Sequence, residues 1–289
     1  MWFIEKYACD NYTEFIEDTY KLLGIEKINL LSQNIFAYKL AARVIAKNKV
    51  FDAWDNFLKF PAYKKITKHL ETGYQQLSNE RFFWITNSQE NILFFKTKFK
   101  VKDIHLIKNG VEEDFLKNRT TETPVDLLNI KKPIVGFGGK ISYLLNVDLI
   151  NYLTLNNPDK SFVFVGQILN KQIYKSIIKR KNVFFLGDKH YDEYYKYVIN
   201  FDICIVPYNI SEGQHGGDSI KAYEYLSTGK KVVGTKGNGL LDLSDYLYLV
   251  NGQEEFSKEL NDTKNEKSFF DVKSFTWQSK AEKILNILT

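Results

Sequence analysis

Glu212-Gly213-Gln214-His215-Gly216-Gly217-Asp218-Ser219-Ile220-Lys221-Ala222-Tyr223-Glu224-Tyr225-Leu226 is a polar, glycine-rich loop that runs directly into a helix. The strand-like run Asp202-Ile203-Cys204-Ile205-Val206-Pro207 precedes it and Lys231 to Thr235 follows, so the segment reads as the crossover of a strand-helix-strand unit. Gly216 and Gly217 let the backbone approach a ligand closely. The unpaired amides of the first helical turn, with the positive end of the helix dipole, favour an anion such as phosphate. Lys221 and Glu224 stand three positions apart and share a helix face. The lysine suits a diphosphate and the glutamate suits the hydroxyls of a sugar.

Outward from this unit, strand-like and helix-like segments alternate from about residue 131. Strands are predicted at 133–137, 161–166, 182–187, 202–207, 231–235 and 246–250, with helices at 146–156, 170–180, 191–200, 218–228 and 253–262. Short loops with Gly, Asn or Pro separate them, as right-handed crossovers in a parallel sheet require. That pattern is Rossmann-like. Residues 1–110 also read as α/β: helices at 11–23, 35–47, 61–78 and 88–96, strands at 27–32, 82–86 and 103–107, and an apolar stretch from Lys49 to Trp54. The polar run Thr120-Thr121-Glu122-Thr123-Pro124 marks the linker, which gives domains 1–125 and 126–272 and a last helix at 273–289.

The 289 residues are 44% apolar, enough for well-packed cores. The apolar runs are strand-sized, far below the roughly 20 residues that cross a bilayer. Met1-Trp2-Phe3-Ile4-Glu5-Lys6 lacks the basic end and apolar stretch of a signal peptide, so a cytoplasmic location is expected. Cys9 and Cys204 have no metal-ligand spacing, and Cys204 sits in an apolar run as a small core residue. The net charge of +5 comes from 40 basic and 35 acidic side chains without a basic and aromatic block. Nucleic acid is therefore not an expected partner, whereas phosphorylated ligands or an anionic membrane face suit the excess.

Lys132-Pro133-Ile134-Val135-Gly136-Phe137-Gly138-Gly139-Lys140 is a second strand ending in glycines and a lysine, and its loop leaves the same carboxyl edge as the 212–217 loop. Lys108-Asn109-Gly110-Val111 is turn punctuation after a strand. In Asp52-Ala53-Trp54-Asp55 either carboxylate could cap a helix or face a cleft. His105 reads as a strand residue, His69 as part of a solvated helix, and His190 as the end of a strand near the cleft. His215 is the histidine with no apolar run to bury it and with both glycines beside it.

These motifs, from about Phe82 onward, resemble the GT-B glycosyltransferases, especially the retaining enzymes of family 4. Ile107-Lys108-Asn109-Gly110-Val111-Glu112 is similar to the family's exit from the first lobe. Val135-Gly136-Phe137-Gly138-Gly139-Lys140 is similar to its first glycine loop, and Asp202 to Pro207 to its Asp-x-x-x-x-Pro strand. Ile220-Lys221-Ala222-Tyr223-Glu224-Tyr225-Leu226-Ser227-Thr228-Gly229-Lys230-Lys231-Val232-Val233 is the most specific likeness. The resemblance implies an α/β fold of GT-B type: two Rossmann-like lobes with parallel sheets, the N-terminal lobe on the acceptor side and shortened, and a last helix crossing back to it. It also implies a donor site of Gly138, Gly139, Lys140, Gly216, Gly217, Lys221 and Glu224, with Glu224 on the ribose hydroxyls and Lys140 and Lys221 on the diphosphate. Asp55 and His215 are the catalytic candidates.

The chain departs from the family where Gly216 stands eight positions before Glu224 in place of a second acid, and where Leu145 replaces a basic residue. The family's opening glycine loop is not found before Met1-Trp2, and the resemblance then implies either a first lobe that is short by design or one that a partner chain or a membrane completes. The implied activity is metal-independent transfer of a sugar, with UDP as the expected carrier, to a cell-surface glycan or lipid-linked precursor, without a cofactor. No Asp-x-Asp pair occurs to hold a cation. The alternatives are a non-catalytic GT-B-like subunit that binds a partner enzyme or glycan, and an epimerase or phosphorylase of similar architecture. Phe57-Leu58-Lys59-Phe60 and Phe94-Phe95-Lys96-Thr97-Lys98-Phe99-Lys100 suit a membrane headgroup interface, or equally a half-buried helix with a solvated lysine face.

Overall fold

The computed structural model describes residues 6–112, 122–210, 217–237, 239–264 and 266–289. The chain forms two compact units. The first extends to Lys108 and includes Gly217, Asp218 and Lys280–Thr289; the second holds the rest from Asn109 to Ser279.

In the first unit a four-stranded parallel sheet has the order β1 (Asn29–Ser32), β2 (Asn48–Asp52), β3 (Phe83–Thr86) and β4 (Ile104–Leu106). Helices α1 (Lys6–Leu22), α2 (Tyr38–Arg43), α3 (Thr67–Asn79) and α4 (Gln89–Phe99) connect and flank the strands. Alternate residues of the central strands point to opposite faces. Phe51 and Trp84 pack with Tyr74, Phe95 and Phe99 on one face, while Val50 and Ile85 pack with Ile284 and Leu288 of the carboxyl-terminal helix on the other. The Asn48 amide ties that helix down by donating to the Leu288 carbonyl at 2.8 Å. Burial on both faces explains why Lys49 to Trp54 is so apolar in sequence: its first part is β2.

Two expected helices are shorter in the structure. Residues 35–47 divide into a 3₁₀ turn at Ile35–Ala37, capped by Asn34, and α2, which ends where Val44 turns extended at ψ 126°. Residues 61–78 start as a 3₁₀ segment, Pro61–Ile66, before α3.

The second unit is a six-stranded parallel sheet in the order β10-β9-β8-β5-β6-β7. Its strands are β5 (Ile134–Gly138), β6 (Ser161–Val165), β7 (Val183–Gly187), β8 (Ile203–Val206), β9 (Lys231–Thr235) and β10 (Tyr248–Val250). Strands β5, β6 and β9 are buried at every residue, as parallel strands covered on both faces must be. Helices α5 (Val147–Asn156), α6 (Lys171–Ser176), α7 (Tyr191–Asn200), α8 (Ile220–Ser227) and α9 (Gln253–Asn261) form the crossovers. Asn146 and Asn170 start α5 and α6 by accepting from first-turn amides. The helix expected over 170–180 stops at Ser176 because Ile177 leaves helical geometry to enter the core.

Strand β5 lies between β6 and β8. The sheet therefore runs one way from β5 to β7 and the other way from β8 to β10. This is a topological switch point, where ligands bind beyond the carboxyl ends of the strands in open α/β sheets. No helix among the described residues is long and apolar enough to cross a membrane.

Candidate functional site

At the switch point of the second unit, the loop after β5 is fixed by α8. The Gly138 amide donates to the Tyr225 hydroxyl at 2.7 Å, and that hydroxyl donates back to the Gly138 carbonyl at 3.1 Å. Next to it, Gly139 and Gly166 adopt φ of +144° and +143°. A Cβ on Gly166 would lie 2.1 Å from the Gly139 oxygen, and one on Gly139 would lie 2.9 Å from Cε of Lys221. Only glycine lets the ends of β5 and β6 and the Lys221 side chain come this close.

Helix α8 supplies Lys221 and Glu224 from one face. The Lys221 ammonium donates to the Tyr208 hydroxyl and stands 4.9 Å from the Tyr208 ring centroid and 5.8 Å from that of Phe137. Glu224 is buried, and its Oε1 accepts from the Tyr191 hydroxyl at 3.1 Å. Burial pushes its carboxyl above the ordinary glutamate range, and the Lys221 charge and the hydrogen bond from Tyr191 act against that rise. Ser219, at the amino end of α8, is 9% exposed, and its hydroxyl has no hydrogen-bond partner among the described residues. The arrangement puts a cation and a helix amino terminus close to a buried hydrogen-bond acceptor. It can hold a ligand that carries negative charge at one end and hydroxyl donors at the other.

The structure brings Gly138, Gly139, Lys221 and Glu224 of the expected donor set together. Lys140 follows Gly139 with an exposed side chain. Gly217 is buried and groups with the first unit. His215 and Gly216 lie outside the described residues. His190 caps α7, its Nδ1 accepting from the Asp192 amide, and is largely exposed. His69 is half-buried against Tyr38, with desolvation lowering its pKa, in place of the solvated position expected for it.

In the first unit Asp55 is half-buried at a bend beyond β2. Asp52, at the end of β2, is 1% exposed. Its Oδ2 accepts from Gln33 at 3.0 Å and lies 3.9 Å from the ammonium of buried Lys280. Burial raises the Asp52 pKa, against the pull of Lys280 and Gln33. Neither aspartate caps a helix: Asn56 caps the 3₁₀ turn that follows. Around this edge, Asp52 Oδ1, Asn56 Nδ2, Asn87 Oδ1 and both amide atoms of Asn91 are buried without a hydrogen-bond partner among the described residues.

Sequence reasoning did not reach Tyr191, Tyr194, Tyr208, Tyr225 or Ser219. One signal was available, the spacing of Tyr191 and Tyr194, which puts both on the same side of α7.

No family model matches the chain. Over 135 residues, 46% of the chain, it is 30% identical to TuaH of Bacillus subtilis (strain 168), a protein assigned to teichuronic acid biosynthesis as a glycosyltransferase. That match spans 34% of TuaH. Among solved structures, HepE of Anabaena in complex with UDP is similar with a TM-score of 0.71 at 16% identity, over 96% of this chain and 81% of that one. Sucrose-phosphate synthase of Thermosynechococcus elongatus is similar with a TM-score of 0.70 at 13% identity, over 97% and 77%. Two parallel sheets with these neighbours give the chain the α/β fold of the GT-B glycosyltransferases.

Proposed function

We propose that this protein is a glycosyltransferase that takes a sugar from a nucleoside diphosphate, with UDP as the carrier, and delivers it to a cell-envelope glycan or its lipid-linked precursor. The observation that carries the reading is the buried Glu224 carboxylate, held by Tyr191, one helical turn from Lys221 and beside the Gly138-Gly139 loop. Glu224 accepts the ribose hydroxyls. Lys221, with Lys140 and the Ser219 end of α8, receives the diphosphate. The likeness to HepE, solved with UDP, and to TuaH supports the choice of carrier and of acceptor class.

In this reading most of the catalytic work is stabilisation of the leaving group. Charge grows on the diphosphate as the bond to the sugar breaks, and an ammonium and helix-end amides already aimed there lower the barrier without reorganising. No cation is required for that step. Asp55 and His215 are the candidates for contact with the reacting sugar. The expected stereochemical outcome is retention.

Calorimetric titration of UDP into the protein and into Glu224→Ala tests the site. Loss of a buried, charged acceptor for two hydroxyls weakens binding by roughly a hundredfold. A native protein that does not bind UDP, or a variant that binds it equally well, overturns the assignment. The ionised carboxylate is the stronger acceptor for both hydroxyls, and burial raises its pKa, so UDP affinity falls with acidification at a pH above the ordinary glutamate range.

Gly216 favours a second reading, a subunit that binds the nucleotide without transferring sugar, because it stands where related enzymes carry an acid. Release of UDP from a panel of UDP-sugars in the presence of acceptor separates the two.

A further inference from the structure

Tyr191 opens α7 and is 44% exposed, yet its hydroxyl reaches across to the buried carboxylate of a different helix, Glu224 of α8, at 3.1 Å. Tyr194, one turn further along α7, lies beside it with ring centroids 6.4 Å apart and planes 28° from parallel. The buried Glu224 carboxylate is thus bonded by a tyrosine that is itself partly open to solvent. A carboxylate offers about four lone-pair sites, and Tyr191 uses one of them on Oε1.

We propose that Tyr191 is a positioning residue for the nucleotide, its hydroxyl holding the Glu224 carboxylate in the one orientation that presents its other lone pairs to the ribose hydroxyls. This role rests on the donor site described above. Glu224 carries two methylenes between backbone and carboxylate, and each rotatable bond left unfixed lowers the share of protein molecules ready to bind. A hydrogen bond from a tyrosine whose own backbone is set by the start of a helix removes that freedom before ligand arrives. The half-exposed ring next to the carboxylate also supplies a flat wall for the ribose. Lys221 is excluded from this task because its ammonium is engaged with Tyr208.

The test compares UDP with 2′-deoxy-UDP on the native protein, Tyr191→Phe, Glu224→Gln and the double variant. Removing the hydroxyl is expected to weaken UDP about tenfold, the worth of one hydrogen bond to a charged group, and to bring UDP and 2′-deoxy-UDP close to equal affinity. Binding of inorganic pyrophosphate stays unchanged. In the Glu224→Gln background the same substitution costs little more, because its effect passes through the carboxylate. If Tyr191→Phe leaves UDP affinity intact, or lowers both nucleotides and pyrophosphate equally, Tyr191 is no more than a packing residue and the proposal fails. If the native protein binds no UDP, the donor site itself is wrong and this role falls with it. The two failures are therefore distinct.

Discussion

The carboxyl edges of the two sheets differ in how their buried polar groups are satisfied. In the second unit most of the edge is closed on itself: Gly138 bonds Tyr225 in both directions, Glu224 is held by Tyr191, and Lys221 by Tyr208, while the Ser219 hydroxyl is buried with no hydrogen-bond partner among the described residues. In the first unit the corresponding edge buries Asp52, Asn56, Asn87 and Asn91 with polar atoms that no described residue satisfies. An edge closed on itself is preorganised, so each deletion there removes a partner that another group needs. Where atoms are orphaned, deletion of the side chain also deletes the cost of burying it.

The largest effect that would break this contrast is at Gly166. Gly166→Ala puts a Cβ 2.1 Å from the Gly139 carbonyl at a φ of +143°, and overpacking with backbone strain is expected to lower unfolding stability by about 4 kcal/mol in a urea titration. A loss below about 1 kcal/mol would mean that the glycine loops are not held at this distance. A smaller effect is expected at Tyr225→Phe, which leaves both polar groups of Gly138 without the hydroxyl in a buried site, for about 2 kcal/mol by the same measurement. The smallest belongs to the first unit. Asn91→Leu keeps the backbone bond from Asn91 to the Ser88 hydroxyl and removes two orphaned polar atoms, so stability stays within about 1 kcal/mol of the native value or rises. A loss above about 2 kcal/mol would show the amide to be satisfied in solution, and the contrast would be gone.

The same contrast explains what could be read from the residues alone. Parallel strands buried on both faces are continuous apolar runs, so β5, β6, β8 and β9 stand out, and β2 is visible as the stretch from Lys49. Lys221 and Glu224 are legible because a helix fixes neighbours three apart. Tyr191 is not, because its meeting with Glu224 depends on how α7 and α8 pack over the sheet, and no local period encodes that. The pairing of Asp52 with Lys280 is hidden for a similar reason, being set by where the carboxyl-terminal helix docks on the first sheet. The shortened helices at 35–47 and 170–180 were obscured by tertiary demand: β2 begins at Asn48, and Ile177 is drawn into the core.

The neighbouring of β5 with β8 has a consequence for how the protein is made. The loop at Gly138 is locked by a hydroxyl 87 positions later in the chain, after β6, β7 and β8 have all been added. At about 5–20 residues per second of synthesis, roughly 4 to 17 s separate the two groups as they leave the ribosome. During that interval β5 can pair with β6 but has no lock for its glycine loop. Such long-range closure is slow to form and exposed to error. The candidate site is therefore among the last parts of the second unit to mature, and a nascent chain halted before Tyr225 holds a partial sheet in which the Gly138 loop is unlocked.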